Sequence, residues 1–249
     1  MNAEALYEAV LTLPSGLILT LGLTLTSLVI GFLISVPLGL MRASRSLWLS
    51  GPILAYTYVF RGTPLLVQLF LIYYGFGQVG FIHDTALWLV FREPLWCALI
   101  AFTINSTAHS TEIFSGGFRA VPNGQAEAAK SLGLSRLQTV RLITLPLMLR
   151  IVFPAYTNEM IAMLKASSLA STVTLLEVTG LARKLVSATF APYEVFVVAG
   201  LLYLATTLCL TSLSRRVEAY LNRTAKSCGA SRLRRGVSPI PFVTRSTNA

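Results

Sequence analysis

The 249 residues are 54% hydrophobic and 12% charged, with a formal charge of +10 and a mean hydropathy of +0.68. Soluble domains carry about 25% charged residues, so the composition excludes an ordinary soluble fold and implies an all-α integral membrane protein. A span needs about 20 apolar residues, which leaves room for roughly five or six spans and for no separate soluble domain. The positive charge does not point to nucleic acid, because its distribution follows membrane topology. Cys97, Cys209 and Cys228 are odd in number and lack metal-ligand spacing, so they read as packing residues.

The chain opens MNAEALYEAV, with Glu4 and Glu8 and no basic residue before the apolar run. That does not resemble a cleaved signal peptide, so the first span is expected to stay in the mature protein. From Ala9 to Met41 there are 33 uncharged residues, ended by Arg42 and Arg45. Thr20, Gly22, Thr24, Thr26, Ser27 and Gly31 suit close helix packing within this first span. The second is expected between about residues 52 and 76, with Arg61 near an interface or a protected interior and Pro64 bending or starting a helix. His83, Asp84, Arg92 and Glu93 form a polar connection before Pro94, which suits a first-turn proline. The third span, 95–114, is polar in its second half, where Asn105, His109 and Glu112 share one helix face. The fourth, 148–170, contains Asn158, Glu159 and Lys165. A polar bend carrying Glu177, Arg183 and Lys184 precedes a fifth span at 195–214, and the tail beyond Ser227 is expected to be disordered.

Between spans three and four lies a basic island, residues 122–146, PNGQAEAAKSLGLSRLQTVRLITLP. Its pattern predicts two short helices. Asn123 is placed to cap the first, Glu127 to sit in its opening turn, and Gly133 to supply a left-handed stop. Ser135 and Gln138 have capping-box spacing for the second, which Pro146 should break or kink. Ala126, Ala128 and Ala129 offer a face that a partner protein can approach closely.

Orientation follows from the basic residues. The 42–45 connection holds two, the 119–150 loop five and the tail from Arg215 eight, whereas the N-terminus has none. The island and the C-terminus are therefore expected in the cytoplasm and the N-terminus outside. Residues 1–14 form an outer N-terminal segment, 15–222 the transmembrane domain and 223–249 a basic tail.

Glu127-Ala128-Ala129, then three residues, Gly133, nine residues and Ile143-Thr144-Leu145-Pro146 resembles the EAA loop of ABC-importer permeases. Arg61-Gly62-Thr63-Pro64-Leu65-Leu66-Val67-Gln68 is similar to a signature of polar-amino-acid importer permeases. Thr111 to Gly117, Val121-Pro122 with Gly124-Gln125, Pro154 to Glu159 and Leu164 to Leu169 carry the resemblance further. It is nearest to permeases for histidine, for lysine, arginine and ornithine, and for the opines octopine and nopaline. Ser115 and His109 depart from the common Arg and Tyr. The resemblance implies the type I ABC importer permease fold in the bacterial inner membrane. It also implies a pair of ATP-binding subunits, a second permease subunit, an extracytoplasmic substrate-binding protein and a surround of membrane lipid. Coupling to the ATPase would fall to Gln125, Glu127, Ala128, Ala129, Gly133, Leu145 and Pro146.

None of the four lysines, Lys130, Lys165, Lys184 and Lys226, follows a glycine, so the chain has no phosphate-binding loop. It is expected to be a transport subunit and not an enzyme, without a cofactor of its own, ATP and Mg being bound by the partner. Glu159 is the sharpest lead to substrate. Lys165 is six positions away, about 240 degrees round the helix, so the two do not share a face. Glu159 then needs a ligand, another helix, or a proton. The alternatives are substrate contact and an interhelical ion pair with Arg61 or with Lys165 of the partner subunit. Asn158, Glu112, His109 and Asn105 are further pathway candidates. An ion-driven secondary transporter or channel for small cationic solutes is the alternative class. A membrane enzyme would need a nucleophile and base arrangement that the sequence does not offer.

Overall fold

The computed structural model describes residues 3–76, 79–80 and 84–233, with side chains described as far as Leu221. His83, the side chain of Cys228 and residues 234–249 of the expected disordered tail lie outside the described residues.

Helix α1 (Ala3–Thr12) leads through a 3-10 turn at Leu13–Gly16 into α2 (Leu17–Arg42). The segment expected only as an outer N-terminus is thus helical and continuous with the first span. Ala9 and Leu13 pack with Val178, Ala182, Val195, Val198 and Ala199 in a small core at that end of the molecule.

Helix α3 (Leu47–Gly62) stops where Thr63 adopts an extended conformation, as a residue before proline must when the ring crowds its helical form. Pro64 then starts α4 (Leu65–Phe70), which runs into a π turn at Leu71–Gly75. The expected second span is therefore two helices around a break. Pro64 has no N–H to give the Phe60 carbonyl. Gln68 Nε2 donates to that carbonyl at 2.8 Å, and Asn105 Nδ2 at 3.2 Å. Asn105 also donates to Gln68 Oε1 at 3.1 Å, so two buried amides replace the missing backbone donor.

A short helix, α5 (Trp88–Phe91), precedes α6 (Pro94–Ala120), which begins at the proline as the sequence predicts. Helices α2 and α6 form the most extensive contact in the fold. On α2, Ser27, Gly31, Ser35 and Gly39 recur every fourth residue and are buried. Facing them are Ser106, Ser110, Thr111 and Ser115 of α6, also buried. Among the described residues these four hydroxyls find no hydrogen-bond partner, so small volume, not hydrogen bonding, is what they contribute. A Cβ on Gly39 would lie 2.8 Å from Phe114 Cβ and 3.2 Å from Ser115 N.

The island forms α7 (Asn123–Ser131) and α8 (Arg136–Thr139). A π turn at Val140–Thr144 joins α8 to α9 (Leu145–Ala166), and a 3-10 segment continues to Val173. Pro146 does not break the run. It occupies the first turn of α9, and the wider π turn before it accommodates the ring. Aromatic rings bind the centre together: Phe32 lies 5.3 Å from Phe114 and 5.5 Å from Tyr156.

Helix α10 (Val178–Thr189) starts at Glu177, a carboxylate fully buried at 0% exposure. Its oxygens accept from Thr179 N (2.8 Å), Gly180 N (2.9 Å) and Tyr203 Oη (2.7 Å). Burial pushes the Glu177 carboxyl above the ordinary carboxylate range, opposed by the bonds from Thr179, Tyr203 and Gly180. Helix α11 (Pro192–Leu233) carries the chain past Ser227, so residues 228–233 of the tail are helical in backbone. Among the described residues, three helical stretches are long and apolar enough to cross a membrane: Ala3–Arg42, Arg136–Val173 and Pro192–Leu221.

Candidate functional site

Helices α6 and α9 set the polar interior of the spans. They approach closely at Gly117, where an added Cβ would collide with Val152 Cγ1 and come within 2.9 Å of Met148 Cγ. Further along the same two helices, His109 Nδ1 faces Glu159 Oε2 at 3.9 Å. Glu159 is 10% exposed and His109 36%, so the pair is open chiefly at the imidazole. Arg61 lies on the last turn of α3 and is exposed. Helices α6 and α9 thus bring one carboxylate and one imidazole together. Such a pair offers hydrogen-bond acceptors and a negative charge to a cationic group entering from the open side.

Lys165 takes no part in it. That residue is exposed and lines a groove between α9 and α11 with Ser168, Thr179 and Tyr203. Asn158 is exposed beside Glu159. Asn105 is committed to the break in the second span through its bonds to Phe60 and Gln68. Glu112 does not pair with Arg119. Its Oε1 accepts from Arg42 Nε at 3.0 Å and from Thr57 Oγ1 at 2.7 Å. Arg119 instead donates from Nη2 to the main-chain oxygen of Arg42 at 2.9 Å. The i, i+4, i+7 spacing of Asn105, His109 and Glu112 was legible, but the partner of each was not. Gln68 and Arg42 were missed as organising residues. For Gln68 a signal existed, since it stands four residues beyond a proline that strands a carbonyl.

The loop at 122–146 differs from expectation in three details. Helix α7 begins at Asn123 itself, with Pro122 before it and no side-chain cap. Glu127 consequently falls beyond the first turn. Ala129 is turned inward at 1% exposure, so the three alanines do not form one docking face. Gly133 does take the left-handed conformation, with φ of 78°. Ser135 and Gln138 form the predicted capping box, Ser135 N donating to Gln138 Oε1 at 2.8 Å. The exposed surface comprises Gln125, Glu127, Ala128 and Gly133, flanked by Leu132 at 80% and Leu137 at 60% exposure. Leu145 packs against the main core, and Pro146 is exposed.

Comparison with known families matches residues 35–223 to the binding-protein-dependent transport system inner membrane component family. The nopaline transport system permease protein NocM of Agrobacterium fabrum is 44% identical over 223 residues, 89% of this chain and 92% of that protein. The histidine/lysine/arginine/ornithine transport system permease protein HisM of Salmonella typhimurium is 42% identical over 205 residues, 82% of this chain and 87% of the relative. A crystal structure of an amino acid ABC transporter with histidines superposes with a TM-score of 0.72 at 34% identity, covering 84% of this chain and 93% of that one. The MetNI methionine ABC transporter in an inward-facing conformation shares the fold, with a TM-score of 0.70 at 21% identity over 84% of this chain and 95% of its own. Matched along most of its length in family, sequence and fold, the chain belongs to the inner membrane components of binding-protein-dependent transport systems, as a multi-pass permease of the ABC importer type.

Proposed function

We propose that this permease forms half of a translocation pathway for basic or polar amino acids (His, Arg, Lys, ornithine) or for opines. A second permease subunit, homologous or identical, supplies the other half. A pair of ATP-binding subunits, which hold ATP and Mg, drives it, and an extracytoplasmic binding protein delivers the solute. In this reading the permease has five spans, with the N-terminus outside and the island at 122–146 in the cytoplasm, as the distribution of basic residues supports. The relatives named for histidine, lysine, arginine and ornithine, and for nopaline, support this substrate class. The Glu159 carboxylate suits a solute carrying a cationic amine or side chain.

The observation that carries the coupling reading is the exposed pair Leu132 and Leu137 on either side of the left-handed turn at Gly133. Large exposed leucines on an otherwise polar loop mark a contact surface. A short helix laid into a groove of the ATP-binding subunit covers them. ATP-driven closure then moves α6 and α9, which flank the loop, as rigid rods.

Because Ala129 is buried, the contact is probed at Ala128. Ala128→Arg leaves the permease inserted but lowers the ATP-binding subunit recovered with it and abolishes uptake. Normal recovery and uptake with Ala128→Arg and with Leu132→Asp would remove the loop from the coupling role.

A further inference from the structure

We propose that Glu112, Arg42, Thr57 and Arg119 form a brace that passes movement of the cytoplasmic loop from α6 into α2 and α3. The inference rests on the coupling reading above and extends it to helices that do not adjoin the loop.

Glu112 Oε1 holds α2 through Arg42 at 3.0 Å and α3 through Thr57 at 2.7 Å, across 70 and 55 residues of sequence. Arg119, on the same helix two turns nearer the loop, fixes the other side of Arg42 by its main-chain oxygen at 2.9 Å. One residue at the end of α2 is therefore gripped twice by α6, once at its side chain and once at its backbone. Helix α6 has no proline after Pro94 and runs unbroken to Ala120, so Glu112 and Arg119 travel together when the loop moves. The coupling helix starts only four residues after Arg119.

Energetics argue against simple stabilisation. The side chains of Arg42 and Glu112 are 15% and 20% exposed. A buried ion pair is weak evidence for stability, since apolar replacements often serve as well, and its best-attested use is to fix register or a switch. The small-residue seam between α2 and α6 supplies proximity but no direction. Ser27 and Ser35 donate within α2, and the facing α6 hydroxyls have no partner among the described residues. The seam therefore carries no hydrogen bond between these side chains to fix its register, and the Arg42–Glu112 pair sets where along the seam the two helices stop.

The test uses the full transporter in vesicles, with uptake and ATP hydrolysis measured in the same preparation under stimulation by loaded binding protein. Glu112→Gln and Arg42→Gln should assemble and hydrolyse ATP, while uptake per ATP falls on the order of tenfold, as for a coupling free energy of ordinary size. The double reversal Arg42→Glu with Glu112→Arg should recover part of that ratio. Unchanged uptake per ATP in both single variants, or hydrolysis and uptake falling in proportion, overturns the brace. If Glu112→Gln fails to assemble, Thr57→Val removes one donor and keeps the shape. Its uptake per ATP should fall, and an unchanged ratio counts against the proposal. Ala128→Arg run alongside separates the two readings. Loss of coupling there with intact coupling in Glu112→Gln rejects the brace alone, and intact coupling in both rejects the loop.

Discussion

Substituting Gly117 by alanine tests the α6–α9 contact that sets His109 against Glu159. The new methyl group meets Val152 Cγ1 and lies 2.9 Å from Met148 Cγ, in a region where Met148 is fully buried. Overpacking of this kind costs about 1–3 kcal/mol, whereas removing a glycine from a helix interior gains about 1 kcal/mol. Gly116, its neighbour, meets nothing within 4 Å. Gly116→Ala therefore carries the helix-propensity gain without the collision. The difference between the two variants isolates the steric cost, about 1–3 kcal/mol, with the propensity gain cancelled. Each kcal/mol corresponds to about 2–4 °C of melting temperature in a chain of this size. Thermal unfolding of the two purified variants, followed by loss of monodisperse protein in detergent, reads that difference. Equal midpoints for Gly116→Ala and Gly117→Ala would refute the close approach of α6 to α9.

Other outcomes follow from single contacts. Gln68→Ala leaves the Phe60 carbonyl only the longer bond from Asn105 and deprives the Asn105 amide of its Gln68 acceptor, and should cost about 1 kcal/mol, read by the same thermal assay; a melting point equal to the unmodified protein's would show that Gln68 is not needed at the break. Glu159→Gln should abolish uptake of labelled arginine while the complex still assembles, and unchanged uptake would return Glu159 to a helix-packing role. Ser135→Ala removes the capping box before α8 and should cost about 1 kcal/mol, measured as faster proteolysis of the loop at 122–146 in detergent; unaltered cleavage would contradict the cap.

Much of the fold was legible because membrane helices leave strong marks. Uncharged runs located two of the stretches long and apolar enough to cross a membrane, Ala3–Arg42 and Pro192–Leu221, and Gly133, Ser135 and Gln138 fixed the geometry of the loop through local rules. The break at Thr63–Pro64 was half legible. Proline announced a disruption, but the amides that satisfy it come from Gln68 and from Asn105 on another helix. Glu112 shows the limit more sharply. Spacing placed it on one face with His109, yet its partner Arg42 lies 70 residues away, and no local pattern encodes that pairing. Ala129 failed for a related reason: three alanines look alike in sequence, and only packing decides that Ala129 faces inward while Ala128 does not.

The central claim is that work reaches this permease from an ATP-binding partner through the loop at 122–146. Its most direct measurement is uptake of labelled arginine into vesicles holding the reconstituted complex and its binding protein, with ion gradients abolished. The account predicts accumulation that starts on addition of ATP and is lost when Ala128→Arg is introduced. Accumulation without ATP, driven by an imposed ion gradient in vesicles holding the permease alone, would contradict it.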